Sequence, residues 1–215
     1  MDFLFPLKLL VIAGAAACLL ALGWQFVRTL RFGRRGDPSV PSGSAAAGIL
    51  YAFGPGMAPW AKESARAHLP TWIAGVLYHV AAFSAFALLG LNIADRLPSR
   101  DLDLVFRVVL VAGLAAGLGL LVKRLTSPAL HPISCPDDFV ANALVDGFLA
   151  LSLASTWAGE TGWGTAALPL SMLWGTVLLL YVPFGKIRHC FFFFYTRVLF
   201  GRFFGRRGVL TGGGS

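Results

Sequence analysis

Residues 105–122 read VFRVVLVAGLAAGLGLLV, and this stretch decides the fold class. Arg107 is its one charged residue, and about 20 apolar residues are enough for a helix to cross the hydrocarbon core of a bilayer. Stretches of the same character are Phe5–Val27, Leu69–Ile93, Phe139–Trp157 and Ala166–Phe184. Because a helix satisfies its own backbone hydrogen bonds in lipid, the sequence predicts an all-α integral membrane protein, a bundle of five spanning helices.

The composition of the whole chain agrees with this prediction. Of its 215 residues, 57% are hydrophobic and 13% are charged, and its mean hydropathy is +0.73. These values exclude an ordinary soluble globule. The first apolar stretch is followed by Arg28 and Arg31, so it is expected to be a retained span rather than a cleaved signal peptide.

The positions of lysine and arginine predict the topology. They gather between spans one and two, at Lys123 and Arg124 in the next turn on that side, and after residue 185. Since basic loops stay in the cytoplasm, the N-terminus is expected outside and the C-terminus inside, in the inner (cytoplasmic) membrane. The net charge of +8 fits this asymmetry and attraction to anionic lipid, or alternatively a docking surface for an acidic soluble partner. The charges follow span ends, which does not support nucleic-acid binding.

The remaining segments complete a single-domain plan. Residues 1–204 are expected to form one transmembrane domain, with an interfacial segment over residues 49–66 and a flexible tail over residues 205–215. A polar linker over residues 36–48 precedes the interfacial segment. Asp137 or Asp138 is expected to cap the fourth spanning helix.

The cysteines exclude several kinds of metal site. The chain has 3 of them, Cys18, Cys135 and Cys190, with no CxxC or CxxCH pattern. Covalently attached haem and cysteine-held zinc or iron–sulfur clusters are therefore excluded. No disulfide is expected.

Two histidines are the main candidates for chemistry. His79 lies in span two, and His189 lies in residues 183–195, PFGKIRHCFFFFY. The aromatic run after His189 predicts that span five continues over residues 166–194, with Lys186 and Arg188 either reaching to the interface or paired. Histidines on two helices match the axial ligand pair of a b-type haem. From spacing alone, two separately hydrogen-bonded histidines that serve helix packing are an equally open interpretation.

Other side chains have secondary roles in this interpretation. Cations at the level expected for haem propionates are Lys62, Arg66, Lys186 and Arg188. Three other residues are weaker candidate ligands. His68 and His131 are expected to lie at the surface, and Met172 is expected to pack in the core. Asp146 is a carboxylic acid within span four, so it is expected to relay protons or to pair with a neighbouring hydroxyl group or cation.

Three motifs carry a resemblance to a known family. They are Leu77-Tyr78-His79, the sequence KRLTSP at residues 123–128 leading to Asp138, and LLYVPFGKIRH at residues 179–189. In their order and in the five-helix plan, over roughly residues 70–200, the chain resembles the gamma subunit of respiratory nitrate reductase. This membrane cytochrome b has relatives in quinone-linked iron–sulfur complexes of the heterodisulfide reductase and sulfite-reduction type.

The resemblance implies a cofactor and its ligands. His79 and His189 match the pair that ligates the cytoplasmic-side haem b of the family. The positions that match the outer pair hold Leu89 and Ser171, neither of which is a haem ligand. One haem b is therefore expected, rather than the two that the family normally binds.

The resemblance also implies a function. The chain is expected to be an electron-transfer subunit that connects a cytoplasmic iron–sulfur partner with a membrane quinone, as the non-catalytic or quinone-reactive subunit of an oxidoreductase. Two alternatives remain open. One is a haem-free membrane anchor of a complex, and the other is a small proton-conducting or transport protein.

Overall fold

The computed structural model describes residues 3–32, 39–96 and 98–209. Helices dominate these residues, and the one β-type contact described is an isolated bridge between Ala158 and Thr161. The α-helices are α1 (Phe5–Arg31), α2 (Ala45–Phe53), α3 (Glu63–Ala67), α4 (Leu69–Ile93), α5 (Arg100–Thr126), α6 (Pro136–Ser155), α7 (Gly162–Tyr181) and α8 (His189–Arg206). Short 3₁₀ turns lie at Pro55–Met57, Pro59–Ala61, His131–Ile133 and Lys186–Arg188. The predicted all-α class is confirmed.

Five of these helices are long and apolar enough to cross a membrane. They have between 20 and 27 residues, and they are α1, α4, α5, α6 and α7. At about 1.5 Å per residue, even 20 residues span roughly the 30 Å thickness of a hydrocarbon core. The prediction of five such helices is confirmed, and it indicates a multi-pass membrane protein.

The end of the fifth apolar segment differs from the prediction. A continuous helix was expected over residues 166–194, but α7 ends at Tyr181 and α8 begins at His189. Pro183 has no N–H group to donate to the carbonyl group four residues earlier, so the helix cannot continue unchanged through it. The amides of Phe184 and Gly185 instead both bond to the Tyr181 carbonyl oxygen, at 3.0 Å. The aromatic run therefore belongs to a separate helix.

Helix ends refine the other predicted boundaries. Asp138 caps α6 as expected, because its Oδ2 accepts a hydrogen bond from the Cys135 amide at 2.9 Å. The predicted interfacial segment, residues 49–66, contains the end of α2, two 3₁₀ turns and most of α3. The predicted linker at 36–48 reaches into α2, and its residues 36–38 lie outside the described part of the chain. The predicted tail begins within α8, and its residues 210–215 also lie outside the described part.

The chain divides into two compact units. The first comprises residues 1–21 and 73–187, and the second comprises residues 22–72 and 188–215. In the first unit, Phe148 and Met172 are fully buried, and Phe148 packs against the Phe86 ring at a centroid distance of 4.9 Å. Ala81 and Ala85, one turn apart on α4, are also fully buried. Small residues of this kind let neighbouring helices approach closely, which favours association in lipid.

The second unit is organised by the contact between α2 and α8. Ser44 caps α2 by accepting a hydrogen bond from the Ala47 amide at 3.3 Å. At the other end of the contact, the amides of Ser42 and Gly43 both donate to the Arg206 carbonyl oxygen at 2.9 Å. That carbonyl group lies at the end of α8, where the helix has no further N–H groups to donate to it. The chain before α2 therefore completes the C-terminus of α8.

Candidate functional site

His79 lies in α4 with its ring orientation fixed by the backbone. Its Nδ1 is 2.7 Å from the Gly75 carbonyl oxygen, one turn earlier in the helix. A carbonyl oxygen can only accept a hydrogen bond, so Nδ1 carries the proton and donates it. The imidazole is then the tautomer in which Nε2 has the lone pair. This is the arrangement typical of metal-ligating histidines, whose other ring nitrogen bonds to a carbonyl group or a carboxylate.

The surface of α4 beside His79 is open within its unit. His79 is exposed, as are Val76 and Val80 on either side of it. A Cβ atom added to Gly75 would meet no atom within 4 Å. A flat group can therefore approach the imidazole without displacing side chains of the first unit.

His189 is the first residue of α8 and belongs to the second unit. It is exposed, and it follows directly on the 3₁₀ turn Lys186–Arg188. Next to it, burial raises the pKa of the Cys190 thiol, so that cysteine is a packed thiol rather than a reactive one. The turn after Pro183 thus places His189 at the first position of α8.

Lys186 is held in an ionic cluster whose members the sequence did not identify. Its ammonium group lies 2.6 Å from Asp138 Oδ1, and Arg124 Nη1 lies 3.4 Å from the same oxygen atom. The Lys186 amide also donates to Asp137 Oδ2 at 2.9 Å, and the Tyr181 hydroxyl group donates to Asp137 Oδ1. The hydrogen bond that the Lys186 ammonium group donates to Asp138 raises the pKa of Lys186. A haem propionate would have to compete with Asp138 for this cation.

Asp138→Ala is expected to lower the free energy of unfolding by about 1–2 kcal/mol, the usual cost of losing a helix cap. Asp138→Asn should cost less, because the amide oxygen still accepts from Cys135 while the attraction to Lys186 and Arg124 is lost. Thermal unfolding at low and high salt separates the contribution of the capping hydrogen bond from that of the attraction to Lys186 and Arg124. The second contribution should decrease at high salt, because salt screens it. Equal losses in the two variants would contradict a capping role for Asp138.

The other predicted propionate partners are surface cations. Lys62 and Arg66 are exposed residues of the second unit, and so is Arg188. Arg66 lines an open hollow of about 430 Å³ together with Trp60, Glu63 and Ala67. These side chains are accessible from the surface of the second unit.

The two positions matching an outer ligand pair are packed in the core of the first unit. Leu89 is 4% exposed and Ser171 is 2% exposed. The Ser171 hydroxyl group donates to the Leu168 carbonyl oxygen at 2.8 Å, within its own helix. Met172 is fully buried beside them. Side chains fill this region, and Met172 occupies a packing position as expected.

The remaining histidines lie at helix ends. His68 follows α3 and His131 opens a 3₁₀ turn, and both are exposed. Within residues 3–32, 39–96 and 98–209, no three histidine, cysteine, aspartate or glutamate side chains come together as a metal site. An axial haem pair requires two side chains only.

A polar cluster within the apolar helices is the second group that the sequence only hinted at. Asn142 donates to Asp146 Oδ2 at 2.7 Å and to the Tyr78 hydroxyl oxygen at 3.1 Å. The four-residue spacing of Asn142 and Asp146 on one helix was the available signal. The participation of Tyr78 from α4 required the tertiary structure.

Comparison with protein-family models, with curated proteins and with solved structures finds no match for this chain. The resemblance drawn from the three sequence motifs therefore stays a prediction.

Proposed function

We propose that this protein is a haem-b electron-transfer subunit of a membrane oxidoreductase, with His79 and His189 as the axial ligands of one haem. The observation that carries the proposal is the His79 ring, whose Nδ1 donates to Gly75 at 2.7 Å and so leaves Nε2 as the ligating nitrogen. The open surface beside Gly75 supports it further. When bound, the haem supplies an iron atom that accepts and releases one electron.

The residues of this chain have distinct tasks in the proposal. The two imidazoles supply neutral nitrogen ligands and orient the macrocycle. Val76 and Val80, the exposed apolar residues of α4 beside His79, would contact the haem and help to set its potential. Lys62, Arg66 and Arg188 balance the propionate charges, while Lys186 does so only in exchange for its contact with Asp138.

One haem rather than two fits the packing of the first unit. Leu89 and Ser171, the positions that match the outer pair, are buried and offer no ligand nitrogen. A second haem would require the surrounding core, including Phe148 and Met172, to open. The proposal therefore contains a single haem near one side of the membrane.

Topology and partners complete the proposal. By the distribution of basic residues, the N-terminus lies outside and the C-terminus lies in the cytoplasm, with the protein in the inner membrane. The cytoplasmic side then carries Lys62, Arg66, residues 127–138 and the chain after His189. This face would bind an iron–sulfur subunit, and a haem held by His79 and His189 would supply the one-electron chemistry that connects this subunit with a membrane quinone.

Haem quantification is the direct test of this function. The purified protein is expected to contain about one haem per chain, removable by acid–acetone because no CxxCH motif attaches it. The pyridine haemochrome assay, normalised to protein by amino-acid analysis, measures this ratio. A value near two would mean that a ligand pair other than Leu89 and Ser171 serves a second haem. A protein without haem, even after expression with added haem precursor, would reject the function.

One alternative function is favoured by a specific observation. The Asp146 cluster is a protonatable group within the apolar helices, as a proton-conducting protein would need. Proton flux into liposomes that contain the purified protein, with Asp146→Asn as the control, separates conduction from electron transfer. A haem-free membrane anchor would instead show neither proton flux nor visible absorption.

A further inference from the structure

Asp146 lies near the middle of α6 and is 7% exposed. Its Oδ2 accepts a hydrogen bond from Asn142, whereas Oδ1 is buried and receives no hydrogen bond of normal geometry from the described residues. The side of α5 that faces Oδ1 is Gly117, where an added Cβ would overlap that oxygen. The carboxyl group is therefore enclosed by three helices of the first unit.

Among the described residues, no cation is in contact with this carboxyl group. The ion pairs among the described residues join Lys8 with Asp95, Arg107 with Asp103 and Glu160, and Arg124 and Lys186 with Asp138. The side chains that interact with Asp146 are Tyr78 from α4 and Asn142 from α6. A carboxylate in this place would be a buried charge without a counter-charge, which is strongly unfavourable in an apolar interior.

The hydrogen-bond inventory leads to the same result. A tyrosine hydroxyl group has one hydrogen atom to donate. The Tyr78 hydroxyl group donates it to the Asn142 carbonyl oxygen at 3.3 Å and accepts from the Asn142 amide at 3.1 Å. Tyr78 and Asp146 are also in hydrogen-bond contact, and a protonated Asp146 can donate its hydrogen atom to the remaining lone pair of the Tyr78 hydroxyl oxygen.

We propose that Asp146 is an intramembrane proton-binding site, which holds a proton as a neutral carboxylic acid beside Tyr78 and Asn142. The bound species is the proton itself. It exchanges with water when the carboxylic acid ionises to the carboxylate. Tyr78 is the one titratable group in contact with the carboxyl group among the described residues. α5 contributes only Gly117 to the contacts described for this carboxyl group.

The site has a place in the proposed function, on which this second step rests. Tyr78 directly precedes His79, the proposed haem ligand. If a haem were held at His79, its iron would supply a charge that changes by one unit on reduction. Tyr78 would then connect this ligand to the carboxyl group of Asp146, and proton binding at Asp146 would respond to the charge of the bound cofactor.

Infrared spectroscopy of the purified full-length protein at neutral pH tests the site. The wild type should show a carboxylic-acid C=O band that shifts when H₂O is replaced by D₂O. Asp146→Asn should abolish this band, and Asp103→Asn, which removes an ion-paired carboxylate instead, should leave it unchanged. A wild-type protein without the band, or a band that persists in Asp146→Asn, would overturn the proposal.

Tyr78→Phe keeps the test decisive if Asp146→Asn does not fold. This variant removes only a hydroxyl group, and it should shift the frequency of the band because the acid loses its acceptor. An unshifted band in a folded Tyr78→Phe protein would assign the band to another carboxyl group and reject the site.

A reduced-minus-oxidised infrared spectrum of the haem-loaded protein tests the coupling. The Asp146 band should change on reduction of the iron, and this change should be absent in Asp146→Asn. A haem-loaded protein whose band does not respond would overturn the coupling alone. If the protein binds no haem, the proposed function and the coupling are both rejected. The infrared band of the haem-free protein still tests whether Asp146 holds a proton.

Discussion

His79→Ala and His189→Ala are each expected to abolish stable binding of the low-spin haem. A six-coordinate, low-spin iron needs both axial nitrogen atoms, and loss of one leaves a single protein bond to the cofactor. In His79→Ala the hydrogen bond to Gly75 also disappears, so nothing orients a ligand at that position. The haem-to-protein ratio and the visible spectrum of the purified variants measure the effect.

Matched controls separate ligand loss from unfolding. Leu89→Ala and Ser171→Ala alter the core positions that match the outer pair. Both should keep the haem, although the loss of the buried Leu89 side chain lowers the stability of the packed core. Added imidazole, which can occupy the vacated axial position, should restore part of the low-spin spectrum in the histidine variants. His68→Ala should leave the spectrum unchanged. Loss of the haem in His68→Ala with an unaltered spectrum in His189→Ala would reject the ligand assignment.

The sequence predicted the apolar helices well because lipid imposes a simple rule. Any stretch that crosses the hydrocarbon core must be long, apolar and helical, so composition alone located the five segments. The capping role of Asp138 was equally accessible, because a short acidic side chain before an apolar run is a local signal.

The prediction from the sequence was wrong at the end of the fifth apolar segment, where a proline lies within an apolar and aromatic stretch. Residues 179–195 are mostly apolar or aromatic, and this favoured one helix through Phe194. Pro183 interrupts it, because a missing N–H group outweighs the apolar character of the residues around it. The break changes the expected site directly, since His189 begins a new helix instead of extending α7.

Contacts between residues that are distant in the sequence were the second feature that could not be predicted. Lys186 was predicted to face a propionate and its pairing was left open, but its partner Asp138, nearly fifty residues earlier, could not be identified from the sequence. Tyr78 and Asp146 meet only because α4 and α6 approach at Gly117 of α5. Single residues could be selected as unusual from their type and depth, whereas their hydrogen-bond partners depend on how the helices pack.

Gly201→Val is expected to disrupt the second unit, where α2 and α8 approach backbone to backbone. A Cβ on Gly201 would overlap the carbonyl oxygen of Gly48, and one on Gly48 would overlap that of Gly201. Because the obstacle is backbone and not the end of a flexible side chain, the helices must separate to accommodate the substitution. We expect a loss of about 3 kcal/mol in unfolding free energy, at the upper end for overpacking.

Gly23→Val is the matched control, since a Cβ atom added at Gly23, in α1 and in the same unit, meets no atom within 4 Å. Hydrogen exchange identifies where the damage lies. The amides of Ser42 and Gly43, which both donate to Arg206 at 2.9 Å, should exchange faster in Gly201→Val and at the wild-type rate in Gly23→Val. Equal exchange in the two variants would mean that α2 and α8 do not depend on this close approach. Faster exchange confined to these helices, with α5 unaffected, would instead establish that the second unit opens independently of the first unit's core.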